Sequence, residues 1–384
     1  MIDYISTTFK AENTVEFIQD DDKEMDWISN FESKDFDKFL IFIDDNVDKV
    51  WGKTILSQLN KHNKEVKVKS VISIEETKSI NFYSEAVDFL ESNKCSRFDL
   101  VIAIGGGIVM DMTSFVVSTY MRGVPLFMIP TTLIGQTDAS TAGKTCFNSN
   151  NNKNLLGTFY YPKIVYNNIN FLKSNSNRYS RQGLSEAFKY GLLNSSNLIA
   201  ELKKYEALKE EKTLKNIINL TIKSRIAIRK IDPLASNLGH TFGHAIEKFS
   251  DYRILHGDAI SAGTVLALNY SVYIGIMSEE IKNNIINDMK FLGLNLYVDN
   301  SLESKKIIQL MLQDKKSSST QLNLVLIKDI SKPFSEEGKY FCKSEPDKVR
   351  SFLDDFLNDY DYKINECSKF LQRDNINYSL DESL

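Results

Sequence analysis

The sequence predicts an α/β domain followed by a mostly α-helical domain, and three observations carry that reading. Short apolar runs alternate with helical patterns up to about residue 175, and one run ends in Gly105-Gly106-Gly107 ahead of a helical segment. Long helical patterns take over after that point. Three of the four histidines, His240, His244 and His256, fall in one short window of the second half. At 384 residues the chain exceeds what one ordinary core supports, so two domains are expected, 1–175 and 176–384.

Residues 39–43, Phe-Leu-Ile-Phe-Ile, stop at Asp44-Asp45-Asn46, the pattern of a buried strand entering a polar loop. Val66 to Ser73 reads as a second strand. Glu75-Glu76-Thr77-Lys78 precedes a helical pattern that reaches Leu90. Residues 100–104, Leu-Val-Ile-Ala-Ile, form a third buried strand that runs into the three glycines. The segment Ile108 to Tyr120 is helical in character and carries Asp111 near its start. Such a strand–glycine–helix unit lets backbone amides approach an anion, and a helix N-terminus favours negative charge. The G-x-G-x-x-G spacing is absent, so a tight structural turn is the competing reading. Residues 125–130, Pro-Leu-Phe-Met-Ile-Pro, make a further strand. It leads to Thr131-Thr132-Leu133 and a polar loop with Asp138, Lys144, Lys153 and Asn154. Asn148 to Asn154 is strongly polar and reads as a mobile loop. The lysines of the whole polar loop, Lys144 and Lys153, would either grip a phosphate or stand in solvent, and pattern alone leaves both open.

In the second half, Leu214, Ile217, Ile218 and Ile222 follow the spacing of one helix face. Ser185 to Lys189 lies on another helical stretch, with Glu186 and Lys189 one turn apart. A surface ion pair of that spacing would contribute little. His240 and His244 are four apart and share a helix face. Neutral imidazole is the commonest protein metal ligand. A satisfied core histidine explains one such residue; three with a carboxylate supplier elsewhere point to a site. His62 stands alone in a lysine-rich segment. Leu322 to Ile327 reads as a strand or a buried helix end, and from about Asp354 the chain has no clear core pattern.

A net charge of −4 and a pI near 5.8 give no electrostatic reason to expect nucleic acid. No apolar run is long enough to span a bilayer. Met1-Ile2-Asp3-Tyr4 lacks the basic region and apolar block of a signal peptide. Cys95, Cys146, Cys342 and Cys367 have no metal-ligand spacing and read as free thiols of a reducing compartment. The expected location is the cytoplasm.

Taken in order, these motifs resemble the sugar-phosphate cyclases, whose best-known member is 3-dehydroquinate synthase. The matching stretches are Gly-Gly-Gly-Ile-Val-Met-Asp (105–111), Met-Arg-Gly-Val (121–124), Pro-Thr-Thr-Leu (130–133), Asp138 through Gly143-Lys144-Thr145, and Lys153-Asn154. Gly-Leu-Ser-Glu-Ala-Phe-Lys-Tyr-Gly (183–191), Asn-Leu-Gly-His-Thr-Phe-Gly-His-Ala-Ile-Glu (237–247), His256-Gly-Asp and Asp314-Lys315-Lys316 complete the set. The resemblance implies NAD on the first domain, with contacts from Asp44, Asn46, Glu75, Lys78, Gly105, Gly106, Gly107, Asp111, Thr131 and Thr132. It implies a divalent metal, zinc or cobalt, on Glu186, His240 and His256. It assigns substrate and catalytic positions to Arg122, Asp138, Lys144, Lys153, Asn154, Lys189, Asn237, His244 and the 314–316 segment. The implied substrate is a phosphorylated sugar and the implied assembly a homodimer, with neither nucleic acid nor membrane as partner.

The chain departs from the dehydroquinate synthase pattern ahead of Asn237. That family carries a lysine and an arginine there for the substrate carboxylate. Here the segment Arg225-Ile-Ala-Ile-Arg-Lys-Ile-Asp232-Pro233-Leu-Ala-Ser-Asn237 is shorter. Arg225 takes the lysine place, and Pro233 stands near the place of the missing arginine. Asp232-Pro233 is similar to 2-deoxy-scyllo-inosose synthases, which act on glucose 6-phosphate. His256-Gly257-Asp258 replaces the common His-Gly-Glu. A metal-dependent polyol dehydrogenase is the competing class; the lysines 144, 153 and 189 argue against it, since a dehydrogenase has no leaving phosphate to hold.

Overall fold

The structure is a computed structural model that describes residues 14–149, 153–232, 234–298, 302–313, 321–336 and 338–358. The first four residues, Pro233, the middle of the Asn148–Asn154 loop, the 314–316 segment, Cys367 and the tail past 358 lie outside the described residues. The chain divides into two compact units, Met1–Ser174 and Asn175–Leu384. No helix among the described residues is long and apolar enough to cross a membrane.

The first unit runs β1 (Glu16–Asp20), α1 (Trp27–Asn30), β2 (Lys38–Asp44), α2 (Asp45–Val47), α3 (Lys53–Asn60), β3 (Glu65–Val71), α4 (Ile80–Ser92), β4 (Leu100–Gly105), α5 (Gly107–Thr119), β5 (Leu126–Pro130), α6 (Leu133–Thr137) and β6 (Ile164–Asn168). Its six strands form one parallel sheet in the order β1-β6-β5-β4-β2-β3. A parallel sheet is covered on both faces, so its central strands are apolar at every position. Leu40, Phe42, Val101, Ala103, Leu126 and Met128 pack with side chains of α4 and α5. Phe39, Ile41, Ile43, Ile102, Ile104, Phe127 and Ile129 pack on the other face with Ile28, Ile55 and Leu59. Each of these Val, Leu, Ile, Met and Phe side chains contributes about 1.5–3 kcal/mol on burial.

The strand order places a reversal at β2, which pairs with β3 on one side and β4 on the other. Chain direction across the sheet changes there. In open α/β sheets ligands bind outside the carboxyl ends of the strands at such a point. The carboxyl ends here are Asp44 and Gly105, so topology alone singles out the turn that carries the glycines.

The second unit contains α7 (Asn177–Asn194), α8 (Ser196–Leu208), α9 (Glu211–Ile231), α10 (His240–Phe249), α11 (His256–Tyr273), α12 (Glu279–Phe291), α13 (Ser304–Leu312), the short strands β7 (Leu322–Leu324), β8 (Ile327–Asp329), β9 (Lys332–Pro333) and β10 (Cys342–Ser344), and α14 (Pro346–Asn358). The 322–327 run thus resolves into strands, β7 pairing with β10 and β8 with β9. The face read for Leu214, Ile217, Ile218 and Ile222 is the buried face of α9. Helix α11 is buried on nearly every side, which its apolar and small residues permit.

Glycines let α10 approach α11 closely. Gly239 precedes α10 at φ 75°, a left-handed conformation that favours glycine. A Cβ on it would come 2.5 Å from Thr264 Oγ1 and 2.8 Å from the Ile260 carbonyl. A Cβ on Gly263 would stand 2.6 Å from Gly243 N and closer still to the Gly239 carbonyl. With backbones this near, the first residues of the two helices, His240 and His256, come side by side.

Candidate metal centre and nucleotide turn

Glu186 sits mid-way along α7, in a stretch that is buried from Gln182 to Leu193. Its Oε1 faces two imidazoles, His240 Nε2 at 3.6 Å and His256 Nε2 at 3.5 Å, and accepts no hydrogen bond. The other oxygen, Oε2, accepts from Lys189 Nζ at 2.5 Å. The Glu186–Lys189 pair is therefore buried, 0% and 2% exposed, and not the surface pair that its spacing also allowed. A buried carboxylate oxygen without a donor, aimed at two ring nitrogens, is costly unless a cation sits among them.

The donor set fits a divalent metal on distance as well. Glu186, His240 and His256 each offer an atom, all within 4.8 Å of one another. Ligands about 2.1 Å from a tetrahedral zinc stand about 3.4 Å apart, close to the two separations found. The ring orientations agree too. His240 Nδ1 lies 3.1 Å from the Leu238 carbonyl, and His256 Nδ1 lies 3.3 Å from Glu247 Oε2. Each Nδ1 thereby faces an acceptor, and each Nε2 is turned toward Glu186.

Charge in the cluster follows from these contacts. Burial alone would raise the Glu186 carboxyl, but Lys189, His240 and His256 outweigh it and hold the group well below the usual carboxylate range. Burial alone would lower His256, but with no cation between them Glu247 and Glu186 outweigh it and raise the imidazole to about 10, so a metal bound there would displace the Nε2 proton. His244, one turn on from His240, has its ring centroid 5.3 Å from that of His240 and 6.1 Å from that of His256. Asn237 is buried just ahead of the helix, with Nδ2 donating to the Leu234 carbonyl at 2.7 Å. Arg225 is 3% exposed on the inward face of α9. Its guanidinium carbon lies 6.0 Å from the centre of the Tyr190 ring, over which Lys189 Nζ also stands at 4.3 Å. Asp232 is engaged elsewhere, accepting from Leu234 N at 2.8 Å and Tyr340 N at 3.2 Å.

In the first unit, Gly105 could not carry a side chain: a Cβ would lie 2.7 Å from Val109 Cγ2 and 3.2 Å from Asp44 Cβ. A Cβ on Gly106 would approach Thr132 Cγ2 to 3.2 Å. The turn thus keeps the amino end of α5, with its free backbone N–H groups, open to an anion. Asp44 Oδ1 accepts from Asn46 N and Val47 N, and its other oxygen from Ser73. Thr132 caps α6 through Gly135 N, and Thr131 N bonds the Gly105 carbonyl at 2.8 Å.

Beside this turn lies a second polar cluster. Buried Lys78 donates to Asp111 Oδ2 and to Asn154 Oδ1, each at 2.6 Å. Cys146 Sγ is 3.2 Å from the same Asp111 oxygen and 3.1 Å from the same Asn154 oxygen. Asn148 bonds Glu75 Oε1 at 2.8 Å, and Lys153 pairs with Glu75 Oε2 at 3.2 Å. The described ends of the polar loop are thus tied to the Glu75–Lys78 turn.

Not every candidate joins these groups. Arg122 is exposed and stands ahead of β5, at the amino edge of the sheet. The glycine turn and Thr131 lie at the carboxyl edge, about 17 Å away along a five-residue strand. Lys144 is exposed, with its backbone bridged to Phe159. Asp138 ends α6, its amide donating to the Ile134 carbonyl. His62 is a structural clip, its ring nitrogens on Ser33 Oγ and the Ile28 carbonyl at 2.8 and 2.7 Å. Sequence reasoning missed Glu247, Tyr190 and Cys146. Only Glu247 left a signal, since it falls seven after His240 and three after His244 on one helix face.

The fold, a parallel-sheet unit followed by a mostly helical unit, is shared by solved structures of sugar-phosphate cyclases. A 2-deoxy-scyllo-inosose synthase complexed with carbaglucose-6-phosphate, NAD+ and Co2+ superposes at a TM-score of 0.77 with 20% identity, over 87% of this chain and 95% of that one. A 2-epi-5-epi-valiolone synthase from Streptomyces hygroscopicus subsp. jinggangensis, with NAD+ and Zn2+ bound, gives 0.79 and 21%, over 91% and 98%. The models for the N-terminal and C-terminal parts of 3-dehydroquinate synthase match residues 68–182 and 183–317. A 3-dehydroquinate synthase of Clostridium acetobutylicum is 31% identical over 312 residues, 78% of this chain and 86% of that relative. The chain belongs to the 3-dehydroquinate synthase family and is an enzyme, a carbon–oxygen lyase.

Proposed function

We propose that this chain is an NAD- and divalent-metal-dependent cyclase that converts a carboxylated seven-carbon sugar phosphate, a heptulosonate phosphate, to a carbocycle with loss of phosphate. The observation that carries the substrate is Arg225. It lies inside the second unit, on the same aromatic ring as Lys189, which in turn holds Glu186. A guanidinium can take a carboxylate through two parallel hydrogen bonds, as a lysine cannot.

NAD at the Gly105–Asp111 turn would supply a hydride acceptor that is restored within each turnover. A zinc or cobalt ion on Glu186, His240 and His256 would supply Lewis acidity toward substrate hydroxyls. The chain's own residues bind and orient around these groups. Lys189, fixed by Glu186, places a positive charge where negative charge develops on substrate oxygens. His244 and Asn237, on and just ahead of the ligand-bearing helix, hold the polar end of the substrate. The resemblance gives Arg122, Asp138, Lys144, Lys153, Asn154 and the 314–316 lysines substrate roles, and Asp44, Asn46, Glu75, Lys78, Thr131 and Thr132 nucleotide roles. Those assignments belong to this proposal, as do the homodimer and the cytoplasmic location.

A second reading is favoured by one feature, the Asp232-Pro233 junction with its missing arginine. It is a cyclase of carboxylate-free sugar phosphates such as glucose 6-phosphate. A phosphate-release assay with a heptulosonate phosphate, glucose 6-phosphate and sedoheptulose 7-phosphate separates the two. Release is expected with the first. In Arg225→Ala, kcat/KM for it should fall about 100-fold or more, the loss of a charge-assisted pair of about 3 kcal/mol. Unchanged kinetics in that variant, or turnover confined to glucose 6-phosphate, sinks the carboxylate reading.

A further inference from the structure

Resting on the reading that Glu186, His240 and His256 hold a metal, we infer that Glu247 is the positioning residue that makes His256 a ligand and sets the affinity of the centre. The two imidazoles are anchored differently. His240 is 12% exposed and its Nδ1 meets a neutral acceptor, the Leu238 carbonyl. His256 is 35% exposed and its Nδ1 meets a carboxylate, Glu247 Oε2 at 3.3 Å. The more exposed ring has more freedom to turn away, and its anchor is the charged one. Glu247 is itself 8% exposed, so its position is fixed by the fold.

The placement follows from the helices. Glu247 falls on the same face of α10 as His240 and His244. The glycine contacts of Gly239, Gly243 and Gly263 bring that face against the first turn of α11, where His256 stands. By accepting the Nδ1 proton, Glu247 selects the tautomer whose Nε2 lone pair points at Glu186 Oε1. A carboxylate on the far nitrogen also makes the imidazole a stronger donor to a metal, and removing such a partner typically weakens binding about 10- to 100-fold.

Glu247 could instead be a ligand, since His244, Glu247 and His256 also offer three atoms within 4.8 Å. The unbonded Oε1 of Glu186, facing His240 and His256 together, decides for the first set.

The test is zinc affinity of the full chain by chelator competition, with the visible spectrum of the cobalt-loaded protein as a second readout. The proteins are the wild type, Glu247→Gln, Glu247→Ala, His240→Ala and His244→Ala. One zinc is expected in the wild type. Glu247→Ala should bind about 10- to 100-fold more weakly with a shifted cobalt spectrum, and Glu247→Gln, which keeps an acceptor oxygen, should recover part of the loss. The isosteric Gln variant also guards against misfolding, read as an unchanged metal-free melting temperature. Wild-type affinity and spectrum in both Glu247 variants would overturn the inference while leaving the metal centre standing. Loss of zinc in His244→Ala but not in His240→Ala would overturn it too, by making Glu247 a ligand. No zinc in the wild type would instead remove the reading on which it rests.

Discussion

Residue by residue, surroundings decide chemistry more than identity does. Cys146 is a thiol beside a lysine, an arrangement that by itself would favour thiolate. Burial dominates, the Asp111 carboxylate adds to it, and together they outweigh Lys78 and push the thiol up to about 12. Burial also takes Cys95 to about 12. Both are expected to resist iodoacetamide in the native chain at pH 8 and to react once it is unfolded in urea, read by mass spectrometry of the labelled peptides. Prompt native labelling of Cys146 would mean that its contact with Asp111 is absent. The same shift has a sign for stability. The folded value lies above the ordinary 9.0, so the unfolded chain sheds its proton first as pH rises. The contribution of this thiol is therefore constant below about 9 and falls from there toward 12. Arg225 makes a related point. It falls three after Ile222 and seven after Ile218 on the buried face of α9, so the helix carries its charge inward although a charged residue is usually exposed.

At the scale of elements, the contact between α10 and α11 controls the centre. Its close approach depends on hydrogen in place of a side chain at Gly239, Gly243 and Gly263. In Gly263→Ala the added carbon meets backbone atoms, which cannot rotate away. Overpacking of this kind costs about 1–3 kcal/mol, and the helices must part to relieve it. A lower melting temperature is expected together with weaker zinc binding, because parting separates His240 from His256. Gly275, where an added carbon meets nothing within 4 Å but φ is 77°, serves as the control: Gly275→Ala should cost stability without touching metal affinity. Equal zinc binding in Gly263→Ala and the wild type would show that the contact does not set the ligand spacing. The sheet teaches a different lesson about elements. Strands β2, β3, β4 and β5 announce themselves as β-rich runs, and the expected ranges fall on or within two residues of the observed ones. Strands β1 and β6 do not, because Gln19, Asp20, Asn167 and Asn168 interrupt them. They are strands because each pairs along its whole length with the other.

For the molecule as a whole, the proposed reaction closes a redox cycle, and that is measurable without reference to any one residue. With a heptulosonate phosphate and NAD far below the substrate concentration, product is expected to exceed NAD many-fold while absorbance at 340 nm stays flat. NADH rising in step with product would instead place the chain with the polyol dehydrogenases, whose reaction ends at hydride transfer.

The sequence by itself determined the kind of protein this is. Periodicity fixed an α/β half and a helical half, because each element must bury an apolar face whose spacing is set by its own backbone geometry. The order of the motifs determined the family, and the histidine window located the centre, since short-range spacing survives in the linear chain. Tertiary structure decided what depends on residues far apart in sequence. Only folding puts Glu186 of α7 against the first residues of α10 and α11, turns an i, i+3 pair with Lys189 from a surface contact into a buried one, and leaves a carboxylate oxygen facing two imidazoles. Only folding sends Asp232 to cap its own loop and bind Tyr340 while Arg225 turns to Tyr190. The reason is physical: burial and the direction of a side chain are properties of the packed neighbours, and a sequence lists neighbours along the chain alone.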